Sequence, residues 1–351
     1  MSGQGCAAVL PFFYAIMSSA PPDEDKSEEL IVSPEEVGLR LDVFLAGRIE
    51  HASRSFIKQA IKDERVRVNG QVVKRPSKAL CADDCVFVRL PPPPLTKLLP
   101  EDIPLDVLYE DSDILVVNKS PGLVVHPAPG HPSGTLVNAV LYHCKDFRSP
   151  CDREDEGVDA MRPGIVHRLD RFTSGVMVVA KSQIAFDRLS DQARCNAFDR
   201  RYVALVQGEF KEDAGVIRAS IGRSLSDRKR MSITSVKARE AVTHFRVRER
   251  FGVASCVELQ LETGRTHQIR IHMRFVGRPI LGDTIYGVTD FSGWGVSPPL
   301  CEALEGLEGQ ALHAELLGLT HPESGERLTF EAPPPADFQS ALNELRRLQS
   351  Q

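Results

Sequence analysis

Five stretches bring together side chains that can do chemistry. The first is Gly164-Ile165-Val166-His167-Arg168-Leu169-Asp170-Arg171-Phe172-Thr173-Ser174-Gly175. It sets one carboxylate among Arg, Thr, Ser and Gly just before an apolar run, and connecting segments on a rigid scaffold are where sites concentrate. The same residues also describe a capping aspartate with an ion-paired arginine. The second is Leu261-Glu262-Thr263-Gly264-Arg265-Thr266-His267-Gln268-Ile269-Arg270-Ile271-His272. Most of its side chains donate hydrogen bonds without being acidic, and Arg265 at the loop could pair with a carboxylate. In a helix Gln268 would share a face with His272, and Thr266 with Arg270. A structural hydrogen-bond network fits equally, and the spacing of His267 and His272 does not suit a metal on one helix face. The third is Arg200-Arg201-Tyr202, where a tyrosine opens an apolar run beside two arginines. Its ring could stack on a base or be an ordinary half-buried strand tyrosine. The fourth, Arg223 to Met231, carries Arg223, Arg228, Lys229 and Arg230 on a loop suited to phosphates. The fifth, Asn118-Lys119-Ser120-Pro121-Gly122 with Val125-His126-Pro127, reads as a rigid structural turn.

Composition limits what these stretches can serve. A chain of 351 residues, 42% hydrophobic and 26% charged, suggests two domains of an ordinary globular protein. No run of about eighteen apolar residues could cross a membrane as a helix. The net charge of −5 argues against a polyanion partner, but it is unevenly spread. Residues 1–36 hold seven acids and one base, whereas residues 37–75 carry nine Lys/Arg against four Asp/Glu, and residues 223–250 nine against three. Such local basic clusters are the footprint a nucleic acid needs, although a solvated face gives the same pattern. The eight cysteines form no close CxxC pair and read as free thiols of a reducing compartment; no metal site is expected. Neither a GxGxxG turn nor a GxxxxGK[ST] loop is present.

The positioning elements follow from periodicity. Residues 1–33 read as a disordered acidic extension, with 6–17 a poor signal peptide and Met17 an alternative start. Residues 34–91 read as a small domain of helix, helix and hairpin. Leu41, Phe44, Leu45 and Ile49 share one helix face, Ser53 caps a second helix, and Asn69-Gly70 turns a hairpin between valine pairs. Arg54, Lys58, Arg65, Arg67, Lys74 and Arg75 make this unit a candidate binder. Pro91–Pro94 opens a linker over 92–103. From 104 to 348, apolar runs at 107–109, 114–118, 124–125, 176–180 and 202–207 predict strands. Helical patterns occur at 135–143, 184–195 and 336–348. Strands outnumber helices, which predicts an α+β fold on a large mixed, mostly antiparallel sheet with flanking helices. Residues 146–160 and 288–310 read as surface loops.

Taken in order, these motifs become specific. Residues 104–340 resemble the RluA family of pseudouridine synthases, carried by His167-Arg168-Leu169-Asp170 with Thr173-Ser174-Gly175 and by the Thr263–His272 run. Gly282-Asp283, Tyr286-Gly287, Leu312-His313-Ala314 and His321-Pro322 add to it. The small domain resembles an RNA-binding domain shared by a ribosomal protein and bacterial tyrosyl-tRNA synthetases, and the layout is most similar to the RluD branch. Glu64 and Asp83 stand where that domain usually has glycines, and Phe172 and the shifted Pro121 also depart from the family pattern. The resemblance implies an enzyme that isomerises uridine in RNA without a cofactor. Asp170 would be the catalytic carboxylate, Arg265 its partner, and Tyr202 the ring stacked on uracil. Arg168 would enter the RNA as the base flips, and Ile269 would line the pocket. It implies ribosomal RNA of the large subunit, with transfer RNA as the alternative. Composition suggests a cytoplasmic protein, with an organelle as the alternative for a eukaryotic source, and a monomer is expected. A non-catalytic RNA-binding or ribosome-assembly protein of the same fold is the rival reading.

Overall fold

Val66 and Val68 flank Arg67, and Val86 and Val88 flank Phe87; all four valines are buried and both residues between them are exposed, the period-2 pattern of strands with one buried face. The computed structural model describes residues 26–49, 52, 54–90, 98–128, 131–144, 163–224, 230–233, 235 and 238–349. They fall into two compact units, Met1–Thr96 and Lys97–Gln351. The first contains β1 (Lys26–Ile31), α1 (Leu41–Arg48), α2 (Arg54–Lys62), β2 (Val66–Val68), β3 (Gln71–Val72) and β4 (Cys85–Leu90). Its sheet runs β1-β4-β2-β3, with every pairing antiparallel. Asn69 and Gly70 both take positive φ, as a two-residue hairpin requires. The valines pack on Leu41, Phe44, Leu45, Ile57 and Ile61 from the two helices.

One expectation for this unit is corrected. Residues 1–25 lie outside the described residues, but Lys26–Ile31, expected within the disordered extension, is an edge strand paired residue for residue with β4. Its Ser and Glu side chains have little strand propensity, and the open hydrogen-bonding edge of β4 overrides it. Arg54 and Lys58, expected among the basic binding residues, are half exposed but also ion-paired. With Arg40 they surround the fully buried Asp42 carboxylate, at 3.1 Å, 3.6 Å and 2.9 Å respectively, and so tie α1 to α2.

The second unit contains β5 (Asp106–Glu110), β6 (Ile114–Lys119), α3 (Leu136–His143), β7 (Ser174–Ala180), α4 (Gln183–Arg194) and β8 (Asp199–Gln207). There follow β9 (Ala214–Arg218), β10 (Gly222–Arg223), β11 (Met231–Ser232), β12 (Val242–Arg250), β13 (Ala254–Leu261) and α5 (Gln268–Phe275). Last come α6 (Pro298–Glu305), β14 (Leu312–Thr320), β15 (Arg327–Glu331) and α7 (Ala336–Gln349). The main sheet runs β5-β6-β7-β14-β8-β13-β12-β9, with β15 added on β14. Only the β7–β14 pairing is parallel. The α+β expectation therefore holds, and the apolar runs were continuous because both sheet faces are covered. In β7, Val176, Val178 and Ala180 enter one core with α4, while Met177 and Val179 enter the other with α3 and α7.

The expected linker and loops change. Pro91–Pro94 and 146–160 lie outside the described residues. Within 92–103, Leu99 and Glu101 are fastened to α3: Asn138 Nδ2 donates to the Leu99 carbonyl at 2.8 Å, and the Glu101 amide donates to the Asn138 carbonyl at 3.0 Å. Residues 288–310 are not a loop throughout. They contain α6, opened by Pro298 and Pro299 at first-turn positions where a missing N–H costs nothing, with Leu300 and Leu304 buried.

Glu64 and Asp83 adopt φ of 63° and 62°. The left-handed region costs an L-residue about 1–2 kcal/mol, more than the extra chain entropy of glycine. Asp83→Gly should therefore stabilise the small unit, slowing hydrogen exchange of the α1 and α2 amides by about 2- to 5-fold. Faster exchange would mean that the Asp83 side chain contributes more than its strain.

Candidate active site

Asp170 ends the segment that leads into β7. The Thr173 amide donates to its carbonyl at 3.1 Å, closing a turn, and Gly175 then lets the chain enter the sheet beside β14. No side chain fits at that position: φ is 114°, and a Cβ would lie 2.2 Å from the Ala314 carbonyl oxygen. A buried lysine braces the turn from the other side. Lys119 Nζ donates to the carbonyls of Ser120, Leu123 and Arg171 at 2.8, 2.9 and 2.9 Å. Burial pushes the ammonium down to about 7, and the Asp170 charge opposes that fall. The expected structural turn at 118–122 thus reaches directly to the Asp170 segment.

The Thr263–His272 run makes a turn and then a helix. Gln268 sets the turn by accepting from the Arg265 amide and donating to the Val242 carbonyl and Thr243 Oγ1, each at 3.0 Å. His267, at φ 57°, is the residue just before α5. Thr266 precedes the helix, so the face it was expected to share with Arg270 does not form. Arg270 is 5% exposed and makes three ionic hydrogen bonds. Nε and Nη2 grip Asp283 at 2.7 and 2.8 Å, and Nη1 reaches Asp170 Oδ2 at 2.9 Å. Burial opposes the Asp283 charge, but the Arg270 fork outweighs it and holds the carboxyl below its usual range. Burial likewise opposes the Arg270 charge, and the two carboxylates more than restore it. The amides of Ile285 and Tyr286 both donate to Asp283 Oδ1, and the Tyr286 ring lies 5.1 Å from the guanidinium carbon.

This is the main correction to the sequence reading. Arg265, expected to pair with Asp170, instead donates from Nε to the Glu240 carbonyl at 3.1 Å. It stays in the same cleft, but the carboxylate's partner is Arg270. Two arginines five residues apart fall on different sides of a helix start, and only the position of that start decides which one faces Asp170.

Asp170 stands in a cleft of about 540 Å³, room for a nucleoside-sized ligand. Tyr202, Arg168, Ile269 and Arg265 all line it, so these five expected residues converge. Among the described residues Asp170 is the only carboxylate on the lining, against six arginines: Arg168, Arg194, Arg200, Arg239, Arg265 and Arg270. Tyr202 is 7% exposed. Burial raises its phenol pKa, the nearby Arg200 lowers it and Asp170 raises it further. His167 accepts the Val178 amide at Nε2, a bond only the neutral ring can make. Burial, with Arg200 nearby, keeps it neutral. His267 Nε2 lies 3.8 Å from Asp170 Oδ1, and burial also lowers its pKa.

Other expected residues lie elsewhere. Phe172, expected close to the site, does not line the cleft; its ring lies under the Arg171 guanidinium at 4.9 Å. Arg223 is exposed on β10, and Arg230 is exposed next to β11. Arg228 and Lys229 lie outside the described residues. Arg67 is exposed on β2, Lys74 pairs with Glu64 at 2.7 Å, and Arg65 and Arg75 lie on the small unit with them. Arg270, Asp283, Lys119 and Arg200 were not selected as site residues. The Gly282-Asp283 motif was the available signal for the second of them.

Residues 113–275 match the RNA pseudouridylate synthase family model, and residues 39–86 match the S4 domain. A Bacillus subtilis protein named uncharacterized RNA pseudouridine synthase YlyB is 44% identical, over 91% of this chain and 98% of its own. The chain belongs to the RluA-type RNA pseudouridine synthases. Ribosomal large subunit pseudouridine synthase D of Xanthomonas campestris is 40% identical to this synthase over 93% of its chain and 95% of the relative. Among solved structures, human RNA Pseudouridylate Synthase Domain Containing 4 is similar, with TM-score 0.52 and 28% identity, over 69% of this chain and 93% of that one. The synthase is thus an RNA-modifying isomerase with an S4 domain before its catalytic fold. No helix among the described residues is long and apolar enough to cross a membrane.

Arg270→Met should lower turnover by about 100-fold, because an unheld carboxylate shifted by about an ångström loses that much. Arg265→Met should cost less than about 10-fold, a threshold of about 1.4 kcal/mol. Single-turnover release of tritium from 5-tritiated uridine in RNA would rank the two, and the reverse order would return the partner role to Arg265.

Proposed function

We propose that this synthase isomerises particular uridines of large-subunit ribosomal RNA to pseudouridine, with Asp170 as the catalytic carboxylate and the uridine flipped into the cleft. The observation that carries this reading is that the described residues of the cleft include a single carboxylate, oriented by Arg270 among arginines. Glycoside hydrolysis generally needs a second carboxyl group to protonate the leaving group. An isomerisation that reattaches the same base does not. One fixed carboxylate suits attack at the sugar or removal of a ribose proton.

Each other lining group has a place in that chemistry. Tyr202 stacks on the uracil and, as a buried neutral phenol, presents an apolar face to the base while its oxygen stands ready for the proton leaving carbon 5. Ile269 packs against the base. Arg168, exposed at the edge of the cleft, fills the stack that the uridine leaves, offsetting part of the few kcal/mol that flipping costs. The S4 unit holds the RNA through Arg65, Arg67, Lys74 and Arg75, with Arg223, Arg228, Lys229 and Arg230 as a second phosphate-binding group. Arg54 and Lys58 serve this surface less directly, because Asp42 engages both. Relatives named for the ribosomal large subunit favour that RNA over transfer RNA. A bacterial-type ribosomal substrate fits a cytoplasmic enzyme acting as a monomer.

Pseudouridine mapping of ribosomal and transfer RNA from cells lacking the gene, with and without an Asp170→Asn copy, tests the reading. Large-subunit sites should disappear in both strains. Sites restored by Asp170→Asn would reduce the protein to an RNA binder, and sites lost only from transfer RNA would change the substrate.

Neutralising Arg65, Arg67, Lys74 and Arg75 together should weaken RNA binding and flatten its salt dependence. The log–log slope should fall by about 0.7–0.9 for each phosphate that the protein no longer neutralises. An unchanged slope in filter binding would remove these residues from the RNA surface.

A further inference from the structure

Arg200 and Tyr202 stand two residues apart on β8, so strand alternation turns both to the same face. Both line the cleft, and Arg200 is 9% exposed. Its Nε and Nη2 atoms have no hydrogen-bond partner and no contact with solvent. Neither the carboxylate on the described cleft lining nor the acid next in the chain answers them. Asp170 is held by Arg270. Asp199, the adjacent acid, is bonded to Arg201 and Gln260. His167, close by, is neutral. The third guanidinium nitrogen, Nη1, lies against Gly264, where an added Cβ would come within 2.9 Å of it.

An arginine cannot relieve such a position by losing its proton. A buried unpaired charge is costly, and removing one member of a pair leaves that cost in full. The free enzyme therefore holds half of an ion pair. The other half must come with the substrate. Uracil and ribose are neutral, so the anion of an RNA nucleotide is its phosphodiester. The unpartnered Nε–Nη2 edge is the fork that meets two oxygens side by side.

We propose that Arg200 is the receptor for a phosphodiester bordering the flipped uridine, taking its two non-bridging oxygens on the Nε–Nη2 edge and so placing the ribose against Asp170. Binding in this way includes a rotation of the side chain as RNA enters, because that edge is enclosed in the free enzyme. Arg200 is a positioning residue: it holds the nucleotide and does not touch the bond that breaks. This inference rests on the reading that the cleft takes a flipped uridine.

The test pairs a protein change with an RNA change. The RNA identified by the mapping above is made with a neutral methylphosphonate at the linkage 5′ or 3′ of the target uridine. Single-turnover rates are then measured for the wild-type enzyme and for Arg200→Met. Charge-assisted bonds of this kind correspond to about 10- to 100-fold. One of the two methylphosphonates should slow the wild type by that factor and leave Arg200→Met almost unaffected, and Arg200→Met should be slowed to a similar degree on unmodified RNA. Equal slowing of both enzymes by each methylphosphonate would overturn the proposal, because a merely structural arginine gives independent effects. So would a wild type indifferent to both, a result that does not depend on how the variant folds. A wild type inactive on the unmodified RNA would instead remove the reading beneath it.

Discussion

Everything at the cleft depends on one guanidinium held between two carboxylates. Arg270 commits two nitrogens to Asp283 and the third to Asp170. Because the fork is planar and rigid, fixing it on Asp283 fixes where Asp170 can point. Asp283 is itself set by the amides of Ile285 and Tyr286. The Asp170 carboxylate is thus positioned by a chain that starts in backbone. Such a buried array contributes little net stability, since desolvation opposes it. What it provides is orientation.

The sheet supplies the rest. Asp170 precedes β7, Tyr202 lies on β8, and the strand between them, β14, is the parallel partner of β7. Close approach of β7 and β14 requires Gly175, and Lys119 fastens the incoming turn through three carbonyls. A carboxylate, an aromatic ring and the start of a helix thereby meet over the middle of a sheet covered on both faces. Side chains there are held by packing, which fixes their orientation toward a ligand.

In the small unit, charge is divided between holding the fold and facing outward. Asp42 gathers three cations and joins two helices of a thin core. Arg67 of the hairpin faces solvent. A count of basic residues cannot separate the two groups, since both look like a basic cluster in one dimension.

The sequence by itself determined the α+β class, the helix–helix–hairpin unit, the family and the convergence of Asp170, Tyr202 and Ile269. The class and the small unit follow from periodicity and turn residues; the family and the convergence follow from the resemblance that the ordered motifs carry. It even marked Glu64 and Asp83 as glycine positions, and both take the left-handed conformation. It did not show that Lys26–Ile31 is a strand, because that strand exists through the β4 edge, nor that Arg270 rather than Arg265 meets Asp170. Tertiary structure alone decided these points. The Asp170 pairing spans a hundred residues of chain, and the direction of each arginine depends on where α5 begins and on the buried Asp283 that receives it.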